Sequence, residues 1–140
     1  MSSMRIRQAA ELLGVSDDTV RRWIDNGALP ASQDQAGRMV IAGHVLAQFW
    51  RTNAPTPPPN PLGISSSARN RFVGLVTDVL SDKVMTRVEM QCGPHTIVSL
   101  MSTEAAQELK LEPGSLAVAV VKATTVIVET PQTPEQPPAD

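Results

Sequence analysis

Two hydrophobic periodicities divide this chain. Up to about residue 50 the apolar residues recur at three- and four-residue spacing, and from Asn70 onward they fall in short β-rich runs that alternate. In the first part Ala9, Ala10, Leu12 and Leu13 share one helical stripe over residues 7–13, and Gly14 ends it. Ser16 is a good N-cap, with Asp17 and Asp18 in the positively polarised first turn of a second helix. That helix carries Val20, Trp23 and Ile24 on its inner face, and Gly27 stops it. Residues 33–41 read as a β-hairpin turning near Gly37, and Val45, Leu46, Phe49 and Trp50 predict a third, short amphipathic helix. Trp23 shares a stripe with Val20 and is expected in the core, with His44 on the surface.

In the second part Phe72, Gly74, Val76 and Val79 mark a first strand, residues 84–91 a second and residues 96–101 a third. Ser102 caps a brief helix over 103–109, Pro113-Gly114 turns the chain, and residues 116–122 and 125–129 predict two last strands. Five strands with one short helix between the third and fourth suggest a small OB-like barrel. The expected class is therefore α+β in two domains.

Two proline-rich stretches set the boundaries. Residues 53–66 contain five prolines and residues 130–140 contain four. The division is thus a helical domain at 1–52, a linker at 53–66, a β domain at 67–129 and a disordered tail at 130–140. In polyproline II, at about 3.1 Å per residue, the linker would reach roughly 40 Å. Each domain is near the lower size limit for an independent core, which makes oligomerisation an expected source of further burial.

Charge changes this picture little. The formal net charge is -2 over 140 residues; residues 1–53 hold six Arg against five acids, and residues 54–140 six Lys and Arg against nine. Affinity for nucleic acid must then come from arginines gathered on one face. The single Cys92 excludes an internal disulfide and fits a reducing compartment. With neither a signal-like leader nor a run approaching the ~20 apolar residues of a membrane span, a cytoplasmic protein is expected. No nucleophile–base spacing, metal-ligand cluster or glycine-rich phosphate loop points to an enzyme.

Candidate chemistry lies in three places. Two short helices joined by Gly14-Val15-Ser16 have the spacing of a helix-turn-helix, whose second helix enters the major groove of DNA. In the β domain Ser67-Ala68-Arg69-Asn70 and Lys122-Ala123-Thr124 each set a cation beside short hydroxyl side chains at the end of a strand-like run. Convergence of the two would make a pocket for a small oxyanion, which needs donors from several directions and enough positive charge to offset desolvation.

The pattern A-A-E-L-L-G-V-S-x-x-T-V-R-R-W-I-x-x-G-x-L-P-A, followed by G-R-x-V and V-x-x-F, resembles the MerR-like and excisionase-type winged helix-turn-helix domains over residues 5–50. The resemblance puts Arg21 and Arg22 on the recognition helix, Arg38 on the wing, and Ser16 and Thr19 near the helix N-terminus where a phosphate is favoured. Ala42-Gly43-His44 stands where a basic residue and an Asp are common, which leaves the wing lightly charged. The motifs S-A-R-N-x-x-x-G-x-V (67–76), E-L-x-L-x-x-G-S (108–115) and V-V-K-A-T-x-V (120–126) resemble the Mop/TOBE family of molybdate-binding domains. This implies molybdate, or tungstate of nearly the same size and charge, held by Ser67, Arg69, Asn70, Ser102, Lys122, Ala123 and Thr124. It further implies pockets between subunits of a homo-oligomer, a dimer or a trimer of dimers, in which the opening motif of one chain meets the closing motif of another. A hydroxyl residue common in the family is replaced by Ala105.

Together the two resemblances imply a molybdate-sensing transcriptional regulator that binds double-stranded DNA. The alternative is a molybdate storage protein whose helical domain serves assembly; a third is an architectural protein that bends DNA without sensing anything.

Overall fold

The computed structural model describes residues 2–131, and the chain divides into two compact units, residues 1–56 and 57–140. The tail read as disordered, 130–140, lies outside the described residues from 132 onward.

In the first unit, strand β1 (Ser3–Arg5) leads into helix α1 (Ile6–Leu13), which ends at Gly14 in the left-handed region, φ 71°. Helix α2 (Asp17–Asp25) starts where Ser16 Oγ accepts the Thr19 amide at 3.2 Å, as an N-cap should. A hairpin follows: strands β2 (Ser32–Gln33) and β3 (Met39–Ala42), joined through Gly37 at φ 78°. Helix α3 (Gly43–Asn53) closes the unit. Ala9 and Ala10 are buried with Val20, Leu29, Ile41 and Leu46, and two alanines let α1 approach its neighbours closely. Trp23 is half-buried against this core, its ring 5.1 Å from that of Phe49, and His44 is exposed. Strand β1 was not anticipated, because three residues are too few to show alternation. It is secured by pairing with β3, Ser3 opposite Ala42 and Arg5 opposite Val40, in a sheet ordered β1-β3-β2.

The second unit contains strands β4 (Asn70–Ser81), β5 (Met85–Cys92) and β6 (His95–Ser102), helix α4 (Thr103–Glu108) and strand β7 (Leu116–Val121). All pairs are antiparallel, in the order β6-β5-β4-β7. The inner face buries Val76, Thr86, Val88, Met90 and Cys92, and burial raises the Cys92 thiol pKa. A β-bulge between Val76 and Asp78 bends β4. The sheet curls until residues of both edge strands, among them Ile97 on β6 and Ala119 on β7, line one apolar cavity of about 290 Å³.

The α+β class and the curled antiparallel sheet agree with the sequence reading, but among the described residues the sheet has four strands, not five. The expected last strand, 125–129, is absent. Ala123–Thr125 forms a single 3-10 turn, and residues 126–130 have no regular structure. The apolar run that predicted a strand is present, but no sheet edge of the same chain pairs with it among the described residues.

Hydroxyl groups lock the far end of the sheet. Thr103 Oγ1 donates to the Asp82 carbonyl at 2.8 Å and lies 2.9 Å from Thr86 Oγ1, which is fully buried and 2.8 Å from Ser81 Oγ. Asp82 Oδ1 accepts the Val84 and Met85 amides, and these bonds lower its pKa. That contribution to stability is present above the ordinary carboxylate range and is lost as pH falls through the depressed value. Replacing Thr103 by Val keeps the shape and orphans the Asp82 carbonyl, so thermal denaturation should show a loss of about 1–3 kcal/mol. Gly74→Ala should destabilise by a different route, since its methyl group would collide with the Gln91 carbonyl oxygen of the adjacent strand.

Candidate functional site

Helix α2 presents its arginines outward because Val20, Trp23 and Ile24 occupy the inward stripe. Arg21 and Arg22 are both exposed. They differ in their surroundings: Arg21 Nη1 lies 3.4 Å from Asp18 Oδ1, one turn earlier, whereas Arg22 forms no ion pair among the described residues. Ser16 and Thr19 are committed to the cap, their hydroxyl oxygens 2.9 Å apart. Either hydroxyl proton can still be turned outward, since the cap itself uses Ser16 Oγ as acceptor.

The wing is organised by a residue that the sequence reading passed over. Asp34 Oδ1 accepts the Ala36 and Arg38 amides, both at 2.9 Å, and its Oδ2 lies 3.3 Å from Arg38 Nε. One carboxylate thus shapes the turn and orients the wing arginine. Its sequence signal is an acidic residue four positions before Arg38, with Gly37 between them. Exposed pairs of this kind contribute little to stability. What they supply here is direction, and a phosphate can compete for the guanidinium.

In the second unit the register of β4 with β7 sets Asn70 opposite Val121. Asn70 Nδ2 donates to the Val121 carbonyl at 3.1 Å, so the opening and closing motifs meet within one chain rather than only across two, as the resemblance implied, because β4 and β7 are paired in register. Ala68 is buried, which fixes the chain between the exposed Ser67 and Arg69; its amide donates to Ser66 Oγ at 3.1 Å. Beyond Val121 the exposed Lys122 begins the 3-10 turn, its carbonyl accepting both the amide and the hydroxyl of Thr125. Ala123 and Thr124 are exposed on that turn. Two cations, Arg69 and Lys122, therefore stand near one end of the sheet on either side of a backbone ladder.

Ser102 is not part of this cluster. It pairs with Met85, beside the β4–β5 hairpin, and caps α4 by accepting the Ala105 amide at 3.1 Å. This places it at the opposite end of β4 from Asn70. Of the seven residues expected to hold an oxyanion, six gather in one chain and the seventh lies at the other end of the sheet.

Among the described residues no group of three His, Cys, Asp or Glu is placed to hold a metal ion, and no helix is long and apolar enough to cross a membrane.

Comparison with known proteins finds two families along the chain. Residues 66–128 match the TOBE domain family, and residues 3–54 match a helix-turn-helix domain family. The molybdenum transport protein ModE of Herbaspirillum seropedicae is 37% identical over 70 residues, 49% of this chain and 26% of that protein. A probable molybdenum-pterin-binding protein of Haemophilus influenzae is 38% identical over 63 residues, 44% of this chain and 91% of that protein. The molybdate-binding protein of Sporomusa ovata, a solved structure, aligns over 48% of this chain and 100% of its own, at 27% identity and a TM-score of 0.46. The chain thus spans about a quarter of ModE but nearly all of the Haemophilus protein. By these matches the chain belongs to the TOBE-domain family, with a helix-turn-helix domain preceding the TOBE domain.

Proposed function

We propose that this protein binds molybdate through its TOBE domain and DNA through its helix-turn-helix domain, and that it acts as a molybdate-responsive transcriptional regulator, without catalysis, in the cytoplasm. The observation that carries the oxyanion half is the Asn70–Val121 bond, which ties the opening motif to the closing one. Around it stand Arg69 with a planar guanidinium, Lys122 with a point charge and Ser67 with a hydroxyl. Two positive charges match a doubly charged tetrahedral anion, and hydrogen bonds from ionised donors are the strong ones. Ser102 completes the set from a second subunit. The relatives whose names carry molybdenum or molybdate support the same ligand, and tungstate fits equally by size and charge.

The DNA half rests on α2. Its arginines face outward, its N-terminus carries two capping hydroxyls, and Arg38 is held in direction on the wing. Two of these three arginines are paired with acids of their own elements, so binding exchanges those pairs for phosphate or base contacts. Residues 54–69 form neither helix nor strand. A tether of that kind transmits through subunit number and avidity better than through a rigid hinge.

A second reading, storage of molybdate, is favoured by one observation. A match of 63 residues, less than half of this chain, covers 91% of the Haemophilus relative, so that protein has little room for a second domain.

Two variants separate the readings. Replacing Arg21 and Arg22 together by Ala should weaken binding to a cognate duplex by about 1–3 kcal/mol for each arginine that reads a base, and lower the salt slope by about two. Molybdate uptake by the same variant should be unchanged in calorimetry. Full DNA affinity in the double variant removes the regulator reading and leaves storage. Lys122→Ala should weaken molybdate binding roughly tenfold or more, since a charge-assisted hydrogen bond contributes about 1.5–3 kcal/mol; undiminished uptake would refute the pocket.

A further inference from the structure

The ion pairs found among the described residues all lie in the first unit, and each joins an arginine to an acid three or four positions away. Two of them, Asp18–Arg21 and Asp34–Arg38, sit on the elements that carry the DNA reading, and they are built differently. The Asp18 side chain is 95% exposed and reaches only Arg21, at 3.4 Å, so it is free to swing away when a phosphate arrives. The Asp34 side chain is 29% exposed and is held from several sides. Its Oδ1 accepts the Ala36 and Arg38 amides, its own amide donates to the Arg38 carbonyl at 2.8 Å, and its carbonyl accepts the Gly37 amide at 3.0 Å.

The turn itself does not need the charge. Asn makes the same side-chain-to-backbone turn as Asp, through one oxygen. The second oxygen, Oδ2, serves no backbone group; it meets Arg38 Nε at 3.3 Å. Stability does not explain that contact either, since exposed ion pairs contribute little. The Arg38 side chain is 57% exposed, and with Nε occupied both of its Nη groups remain to donate outward.

Charge decides what those groups receive. A guanidinium shared between a carboxylate and an uncharged acceptor, such as guanine O6 or N7 or thymine O4, is electrically balanced. Shared with a phosphate, the same trio keeps a net negative charge, and its two anions repel across one cation. A phosphate that takes Arg38 outright leaves Asp34 fixed and unpaired beside a backbone of like charge. Non-specific binding consists almost entirely of phosphate contacts, so the penalty falls mainly there.

We infer that Asp34 is a specificity-determining residue: fixed in the wing turn, it reserves Arg38 for an uncharged acceptor on a base edge and keeps it from clamping bare phosphate. Arg38 then adds to discrimination between sequences and little to affinity for DNA in general. The inference rests on the DNA reading above and names what one of its arginines recognises.

The test uses the full chain, Asp34→Asn, Arg38→Ala and the double variant. Each is titrated, over a series of salt concentrations, with a duplex that the full chain selects from a randomised pool and with a mixed-sequence duplex of equal length. Asparagine keeps the oxygen that accepts the two amides and removes the charge, so the turn survives. Asp34→Asn should bind the mixed-sequence duplex about three- to tenfold more tightly, with a log–log salt slope steeper by about 0.9, as one added phosphate contact requires. Its affinity for the selected duplex should rise less, so the ratio of the two falls, and the gain should vanish in the double variant. Arg38→Ala should weaken the selected duplex by about tenfold and leave the mixed-sequence duplex nearly unchanged. An unchanged slope and ratio in Asp34→Asn overturns the inference, as does a gain that survives the loss of Arg38, or an equal loss on both duplexes in Arg38→Ala. Those failures leave the DNA reading standing. If no duplex is selected and neither the full chain nor Asp34→Asn binds the mixed-sequence one, the DNA reading falls and the inference falls with it.

Discussion

The TOBE domain depends on one strand serving two partners. β4 pairs with β7 through its first half, Asn70 to Leu75, and with β5 through its second, Leu75 to Ser81. The bulge between Val76 and Asp78 lies just past this changeover, and Val76 sits fully buried there. Gly74, next to the changeover, lets the Gln91 backbone come closer than any side chain would permit. Curling the sheet over a small apolar cavity follows from this division of labour, as does the meeting of Asn70 with Val121. Without the changeover β7 would have no strand to lie against, and the two candidate motifs would not share an end.

In the function proposed above, the same geometry couples binding to assembly. Six of the candidate groups stand at one end of a chain's sheet in contact with water, and the seventh stands at the other. Exposed cations hold a hydrated dianion weakly, because water competes for every donor and the local dielectric is high. Covering such a half-site with a second subunit lowers the dielectric and adds a hydroxyl donor in one step. A ligand held only by the assembled form also stabilises that form by mass action. In that proposal anion concentration becomes subunit arrangement, the quantity that a tethered pair of DNA-binding domains would sense.

The first unit solves a different problem, that of orienting charge with little charge to spare. Its six arginines face five acids. Asp18 steadies Arg21 and Asp34 steadies Arg38, so two arginines are held outward in fixed directions. Arg22 is left to the solvent. The core beneath is made from small and medium residues, Ala9, Ala10 and Val20 among them, with Trp23 and Phe49 filling its margin.

Much of this was legible in the sequence where the signal is local. Helical stripes, the Ser16 and Ser102 caps, the glycine stops and the alternation of β5 are set by interactions within a few residues, and these residues appear in the expected roles. The S-A-R-N and K-A-T motifs stand out as candidate anion-binding segments only as a pair, through the resemblance that both together carry. Three things could not be read. Strand β1 exists because β3 offers it an edge, and three residues carry no periodicity of their own. The pairing of Asn70 with Val121 joins positions 51 residues apart in sequence, a register decided by the whole sheet. The run at 126–128 shows the same limit from the other side: its composition fixes a preference for extended backbone, but a strand is defined by its neighbour, and only the folded chain reveals that its own edges leave this one unpaired.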